Sequence, residues 1–262
     1  MPKLLRTVRA NKGVEAKYRA RMAQLVADMH ASVIYWLSAT YRKHPPRMAA
    51  LVGMAQDAEP NAAKMQDAFD ELAARWTQRF EDNAPLIADA YVQSMFSATD
   101  LAFRQALKAA GWTVEFKQTP AMRDAFTASL EENVGLIKSI PAQYLQQVQG
   151  AVMRSYSAGR DLQTMVADLE ALYPKAADRA VIIARDQSNK ACAVTTRARQ
   201  LELGITEAKW MHSHGGKVPR PDHVAADGKV YNVAEGCLIS GKYILPGTEI
   251  NCRCSCRSIL PV

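Results

Sequence analysis

Apolar residues recur at intervals of three and four over most of the first 200 positions, which is the helical rhythm. Across residues 14–42, Tyr18, Met22, Leu25, Met29, Val33, Trp36 and Leu37 form one stripe, and Val26 and Ile34 widen it. Pro45-Pro46 ends this helix. Asn61 suits the N-cap of a second helix with Met65, Phe69, Leu72, Trp76 and Phe80 on one face. Pro85 fits a first helical position, so a third helix is expected after it, carrying Leu86, Tyr91, Met95 and Leu101 and closed by Gly111. Trp112 to Phe116 alternates and predicts a short strand. Thr119-Pro120 opens a helix to about Ser139, Pro141 opens another to Gly159, and Asp161 caps a short one reaching Tyr173-Pro174. Residues 176–202 form the last long helix, ended by Gly204. The methionine and aromatic stripes read most simply as core.

Beyond Gly204 the period falls to two. Alternating runs occupy Glu207 to His214, Lys229 to Val233, Lys242 to Leu245 and Asn251 to Leu260, separated by turn signals at Gly215-Gly216, Asp227-Gly228, Ser240-Gly241 and Pro246-Gly247. The expected fold class is therefore mostly α with a small C-terminal antiparallel β-sheet, an α+β chain.

Composition adds three constraints. At 262 residues and 48% hydrophobic content, the chain is long and apolar enough to build real cores. No run of eighteen apolar residues exists and MPKLLRTVRANKG lacks an apolar core, so neither a membrane span nor a secretory signal is expected. The five cysteines are odd in number and four fall in the last 26 residues, which points to a reducing compartment rather than a disulfide scaffold. Most of the +7 net charge sits in residues 1–21, where Lys3, Arg6, Arg9, Lys12, Lys17, Arg19 and Arg21 face only Glu15. A basic N-terminal arm suggests an anionic partner, either nucleic acid or an acidic protein surface. The bland reading of the same residues is a frayed, solvated terminus.

The richest chemistry lies in NCRCSCRSIL, residues 251–260. Side chains alternate along a strand, so Cys252, Cys254 and Cys256 are expected on one face and Arg253, Ser255 and Arg257 on the other. Plain burial is the simplest reading, since free cysteine behaves as a small hydrophobe. Disulfides within the strand are disfavoured, because same-face neighbours lie about 6.5–7 Å apart. The second reading is a zinc site made of His223, Cys252, Cys254 and either His212 or His214. Zinc knuckles prefer wider cysteine spacing, so no cofactor is expected and zinc is the alternative. PDHVAADGKVYN with INCRC also resembles, superficially, the histidine-metal nucleases. There, however, His223 with Asp222 and Asp227 nearby lacks a second downstream ligand, and Gly and Pro interrupt the helix such a site needs. No phosphate-binding glycine loop or nucleophile elbow is present. ARDQSNK, residues 184–190, lines Arg185, Asn189 and Cys192 along one helix side and is expected to brace the sheet by hydrogen bonds.

Taken in order, IARDQSNKA, RARQLELGI, the Trp210 of AKWMHS, the R-x-x-H of Arg220 to His223, the Asp227-Gly228 turn and PGTEINCRC resemble the phage Mu protein F-like family of minor head or head morphogenesis proteins of tailed bacteriophages. The resemblance covers roughly residues 135–262. Charge marks a basic arm at 1–21 and periodicity a helical domain at 14–134, and the resemblance adds a Mu F-like domain at 135–262. The motif core it implies is Trp210, Arg220, His223, Asp227, Gly228, Asn251, Cys252, Arg253 and Cys254. One departure stands out: HSHGGKVPR has His214 and Gly215 where the family often has an aspartate. The resemblance implies a non-enzymatic virion or procapsid component, present in few copies at the portal vertex inside the head and made in the host cytoplasm. It implies the portal protein, other head proteins and packaged double-stranded DNA as partners, and no membrane. The rival readings are a metal-dependent nuclease and a plain DNA-binding module.

Overall fold

A computed structural model describes residues 3–46, 60–216 and 218–261. The chain is mostly helical with a small antiparallel sheet near its C-terminus, as the periodicity predicts. The elements run β1 (Lys3–Leu4), α1 (Lys12–Lys43), α2 (Asn61–Ala109), α3 (Pro120–Ser157), α4 (Leu162–Glu170), α5 (Tyr173–Glu202), β2 (Glu207–Met211), α6 (Pro221–Ala225), β3 (Val230–Asn232), β4 (Cys237–Ile239), β5 (Lys242–Ile244) and β6 (Ser255–Leu260). They form two compact units. One comprises Met1–Arg19, Ile87–Asn133 and Ile182–Val262, and the other Ala20–Leu86 and Val134–Val181.

The second unit is wholly helical. Met22, Met29, Val33 and Leu37 of α1 are fully buried, as are Met65 and Phe80 of α2. His30 is held among them by the Tyr144 hydroxyl at 2.7 Å from Nδ1 and by stacking on Tyr173. Trp36 departs from the expected stripe. It is 47% exposed beside Tyr35, with the Arg75 guanidinium over its ring. Adjacent positions on a helix differ by about 100°, so burying Leu37 turns Trp36 outward.

Both internal prolines lie inside continuous helices rather than opening new ones: Pro85 in α2 and Pro141 in α3. A proline removes one backbone hydrogen bond. Here the flanking residues Ala84, Ala88 and Val92, and Ile137, Ile140 and Tyr144, are buried, and that packing offsets the loss. The residues named after Pro85 do not share one face. Leu86 and Leu101 are exposed, because their spacings of five and six from Tyr91 and Met95 leave the helical period. Asn61 is the first helical residue, and its amide donates to the Pro45 carbonyl. Asp161 does cap α4, accepting from the Thr164 backbone N–H at 2.9 Å.

In the first unit the sheet order is β1-β6-β2-β3, antiparallel throughout, and β4 and β5 form a separate hairpin. Trp210 of β2 lies opposite Cys256 of β6. Residues 112–116 form no strand; Phe116 instead stacks on Phe103 at 6.0 Å and receives the Arg199 guanidinium on its ring. Arg199 is 3% exposed and bonds both Asp100 and Glu202. The described part of the N-terminal segment is folded into this unit. β1 pairs with β6, the Leu5 N–H donates to the Ser258 carbonyl, and Leu5, Val8 and Ala10 are buried.

Candidate functional site

The site is built where β2, α6 and the loop before β6 meet. Pro221 occupies the first turn of α6, a position whose missing N–H costs nothing. This places His223 two residues on, 3% exposed, with its ring edge-on to the buried Trp210 at 5.4 Å. The Asp227-Gly228 turn returns the chain to β3. Gly228 has φ +81 and donates to the Trp210 carbonyl, while Asp227 Oδ1 accepts the His212 backbone N–H at 2.8 Å. The His212 N–H, with His214 nearby, holds the Asp227 carboxyl below the ordinary carboxylate range.

The loop before β6 departs from the strand expected over residues 251–260. β6 begins only at Ser255, and Asn251 takes a left-handed backbone at φ +61. Strand parity therefore does not run through the three cysteines. Cys252 and Cys254 turn in toward His223, with sulfur to Nδ1 distances of 3.5 and 3.8 Å. Cys256 parts from them and lies against Gln200 of α5. Each of the five cysteines is unbridged. The Cys254 thiol, acting on Cys252, pulls the Cys252 thiol down to about 5, and the same contact pushes Cys254 up. One proton is thus favoured between two sulfurs.

The ARDQSNK side chains brace this loop. Arg185 donates to the Asn251 side-chain oxygen, Asp186 accepts the Asn251 N–H at 3.1 Å, and Asn189 donates to the Cys252 carbonyl at 3.1 Å. Cys192 is buried further along α5. Arg220 bonds Glu249 Oε2 at 2.6 Å and the Ile250 carbonyl at 2.8 Å. Glu249 in turn accepts from His223 Nε2 at 3.1 Å.

The structure thus gathers Trp210, Arg220, His223, Asp227, Gly228, Asn251, Cys252 and Cys254 around one corner. Arg253 lines the adjoining cavity of about 350 Å³ together with Arg185 and Arg220. His212 and His214 do not join the His223–cysteine group. His214 is exposed and faces Asp227 at 3.3 Å, and His212 Nδ1 accepts the His214 N–H. Beside Asp186, Glu249 is one participant that sequence reading missed. It sits in a loop where no periodicity marks it, and only its place in TEINC two residues before Asn251 hints at a role.

Residues 3, 6, 9, 12, 17, 19 and 21 are all exposed, and residues 1 and 2 lie outside the described region. Lys3 donates to the Ala110 carbonyl, Arg6 to Gln105, and Lys12 pairs with Glu15. Arg9, Lys17, Arg19 and Arg21 make no ion pair among the described residues.

No solved structure matches the chain. An uncharacterized protein of Haemophilus influenzae is 36% identical over 138 residues, covering 53% of this chain and 30% of the relative's. This chain therefore spans less than a third of that relative's length. The model of the family described as Phage Mu protein F like protein matches residues 146–257, which include α5, β2, α6 and the whole His–Cys corner. Over residues 146–257, less than half of its length, the chain is thus similar to the phage Mu protein F-like family.

Proposed function

We propose that this chain is a minor head protein of a tailed bacteriophage, acting without enzymatic activity in head morphogenesis at the portal vertex. The observation that carries the reading is the family match over residues 146–257. The geometry of the corner supports a structural role. Its side chains spend their hydrogen bonds on one another and on loop carbonyls, which fixes a loop rather than presenting reactive groups. The partners proposed are the portal protein, other head proteins and packaged double-stranded DNA, the last met by exposed Arg9, Lys17 and Arg19. The place proposed is the procapsid and virion interior, reached from the host cytoplasm. Among the described residues no helix is long and apolar enough to cross a membrane.

The test is imaging of particles reconstructed without imposed symmetry. Density for the chain is expected at one vertex and missing from particles made without it. Even distribution over all vertices, or normal infectious heads without the chain, would overturn the reading. The nuclease alternative is weakened by His223, which is 3% exposed and has Nε2 taken by Glu249. A general base needs reach to water or substrate. Plasmid cleavage that vanishes on His223→Ala would reinstate the nuclease.

A further inference from the structure

We propose that His223 Nδ1, Cys252 Sγ and Cys254 Sγ bind one zinc ion. The inference does not depend on the proposed role in the head. The three ligand atoms lie within 4.8 Å of one another, and all three residues are buried. In a tetrahedron with Zn–S about 2.3 Å and Zn–N about 2.0 Å, sulfur and nitrogen stand about 3.5 Å apart. The two sulfur–nitrogen distances here are 3.5 and 3.8 Å.

With Nε2 donating to Glu249, the imidazole is the tautomer whose Nδ1 carries a single lone pair. Both sulfurs converge on that one lone pair, at 3.5 and 3.8 Å. A metal ion between the three atoms takes all of them at once.

The surrounding groups fit the same site. A carboxylate on the far nitrogen of a histidine ligand fixes its tautomer and raises its basicity, and Glu249 holds that place. The Gly247 N–H points to Cys252 Sγ at 3.3 Å, a donor suited to a thiolate. Trp210 is fully buried with its ring edge-on to His223, and its indole N–H has no regular hydrogen-bond partner among the described residues. Cysteine binds zinc as the thiolate, and the Gly247 N–H is a backbone donor already placed for one of the two sulfurs. Two thiolates and one imidazole favour zinc over oxygen-seeking cations such as calcium or magnesium.

A cavity of about 350 Å³ touches all three ligands, and a water from it would supply the fourth ligand. On binding, the thiols release their protons to solvent, and no redox change is involved. The ion would tie α6 to the loop before β6, two segments joined otherwise through Glu249 and its neighbours.

The test uses the full chain, purified under reducing conditions without chelator. Near one zinc per chain is expected by elemental analysis, falling toward zero in Cys252→Ser, Cys254→Ser and His223→Ala. Cys237→Ser and Cys256→Ser should keep the metal; equal loss in these would mean adventitious thiol binding and overturn the site. To separate metal loss from misfolding of the ligand variants, the wild type is also stripped and titrated with cobalt(II). Tetrahedral d–d bands and a thiolate charge-transfer band are expected. Glu249→Gln should keep the fold and bind cobalt about 10- to 100-fold more weakly. A metal-free wild type that gives no cobalt bands, or unchanged affinity in Glu249→Gln, would overturn the assignment.

Discussion

Arg185 on α5 donates to the side-chain oxygen of Asn251, 66 residues further along the chain, and Asn251 holds a left-handed backbone at φ +61. Asparagine tolerates that conformation better than most residues. Asn251→Ala loses the tolerance and the acceptor together and is expected to cost about 2–3 kcal/mol. Asn251→Gly keeps the backbone freedom and should cost about 1 kcal/mol. Urea unfolding of both variants measures this. Equal costs would mean that the backbone conformation contributes nothing.

Gly236 stands at φ +101 at the start of the β4–β5 hairpin, and an added Cβ would meet the Ile244 carbonyl oxygen at 2.9 Å. Gly241, in the turn of the same hairpin at φ +79, has nothing within 4 Å of its Cβ position. Gly241→Ala carries the backbone strain alone, about 1–2 kcal/mol. Gly236→Ala adds a clash with backbone that cannot move freely, so its melting temperature should fall further. The reverse order would show that the hairpin yields at Gly236.

The helical stripes were the most legible part of the chain. Met65, Phe69, Leu72, Trp76 and Phe80 repeat at three and four, and all are buried. The prolines misled because a local rule gave way to packing: Pro85 and Pro141 stop no helix when their neighbours are buried on both sides. β1 is two residues long, too short for any period, and what fixes it is the edge of β6. At the site, R-x-x-H and CRC pointed to His223, Cys252 and Cys254 because residue type alone carries that chemistry. Strand parity groups Cys256 with them, and it fails because residues 252–254 are loop and β6 begins only at Ser255. Glu249 and Asp186 were hidden because their partners are set by loop approach rather than by spacing.

Arg199 is held by Asp100 at 2.6 Å and Glu202 at 2.7 Å and donates to the Lys117 carbonyl. Removing one partner of a buried ion pair leaves the other uncompensated. Arg199→Ala should therefore cost about 3–5 kcal/mol. Arg199→Met with Asp100→Asn and Glu202→Gln, which removes the charges together, should recover much of that. Chemical denaturation decides the point; a triple variant no better than Arg199→Ala would mean that packing on Phe116 dominates.

Acid sensitivity should trace in part to Asp161 and Asp227. The Thr164 backbone N–H holds the Asp161 carboxyl below its ordinary value, and the His212 N–H does the same for Asp227. A depressed folded value means a contribution that is complete above the unfolded value near about 4 and lost as pH falls through the folded values. The double variant Asp161→Asn, Asp227→Asn should flatten the fall in stability below about pH 4 and leave its slope near pH 7 unchanged. Melting scans across pH 2.5–7, an interval set by these about-4 carboxyls, test it. An acid limb identical to wild type would assign the loss to other carboxylates.

If the exposed basic residues near the N-terminus meet DNA, the informative variant is not a truncation. Removing residues 1–13 would also remove β1 and the buried Leu5 and Val8, so lost binding could simply report a damaged fold. Lys3 and Arg6 already bond Ala110 and Gln105, and Lys12 pairs with Glu15. Arg9, Lys17 and Arg19 are exposed and make no ion pair among the described residues. Neutralising these three to glutamine leaves the fold intact and removes up to three phosphate contacts. Each contact contributes about 0.9 to the slope of log affinity against log salt. Binding of a non-specific duplex, measured between about 50 and 200 mM salt, should lose up to about three units of slope with no change in melting temperature. An unchanged slope would mean that these charges meet a protein surface instead of DNA.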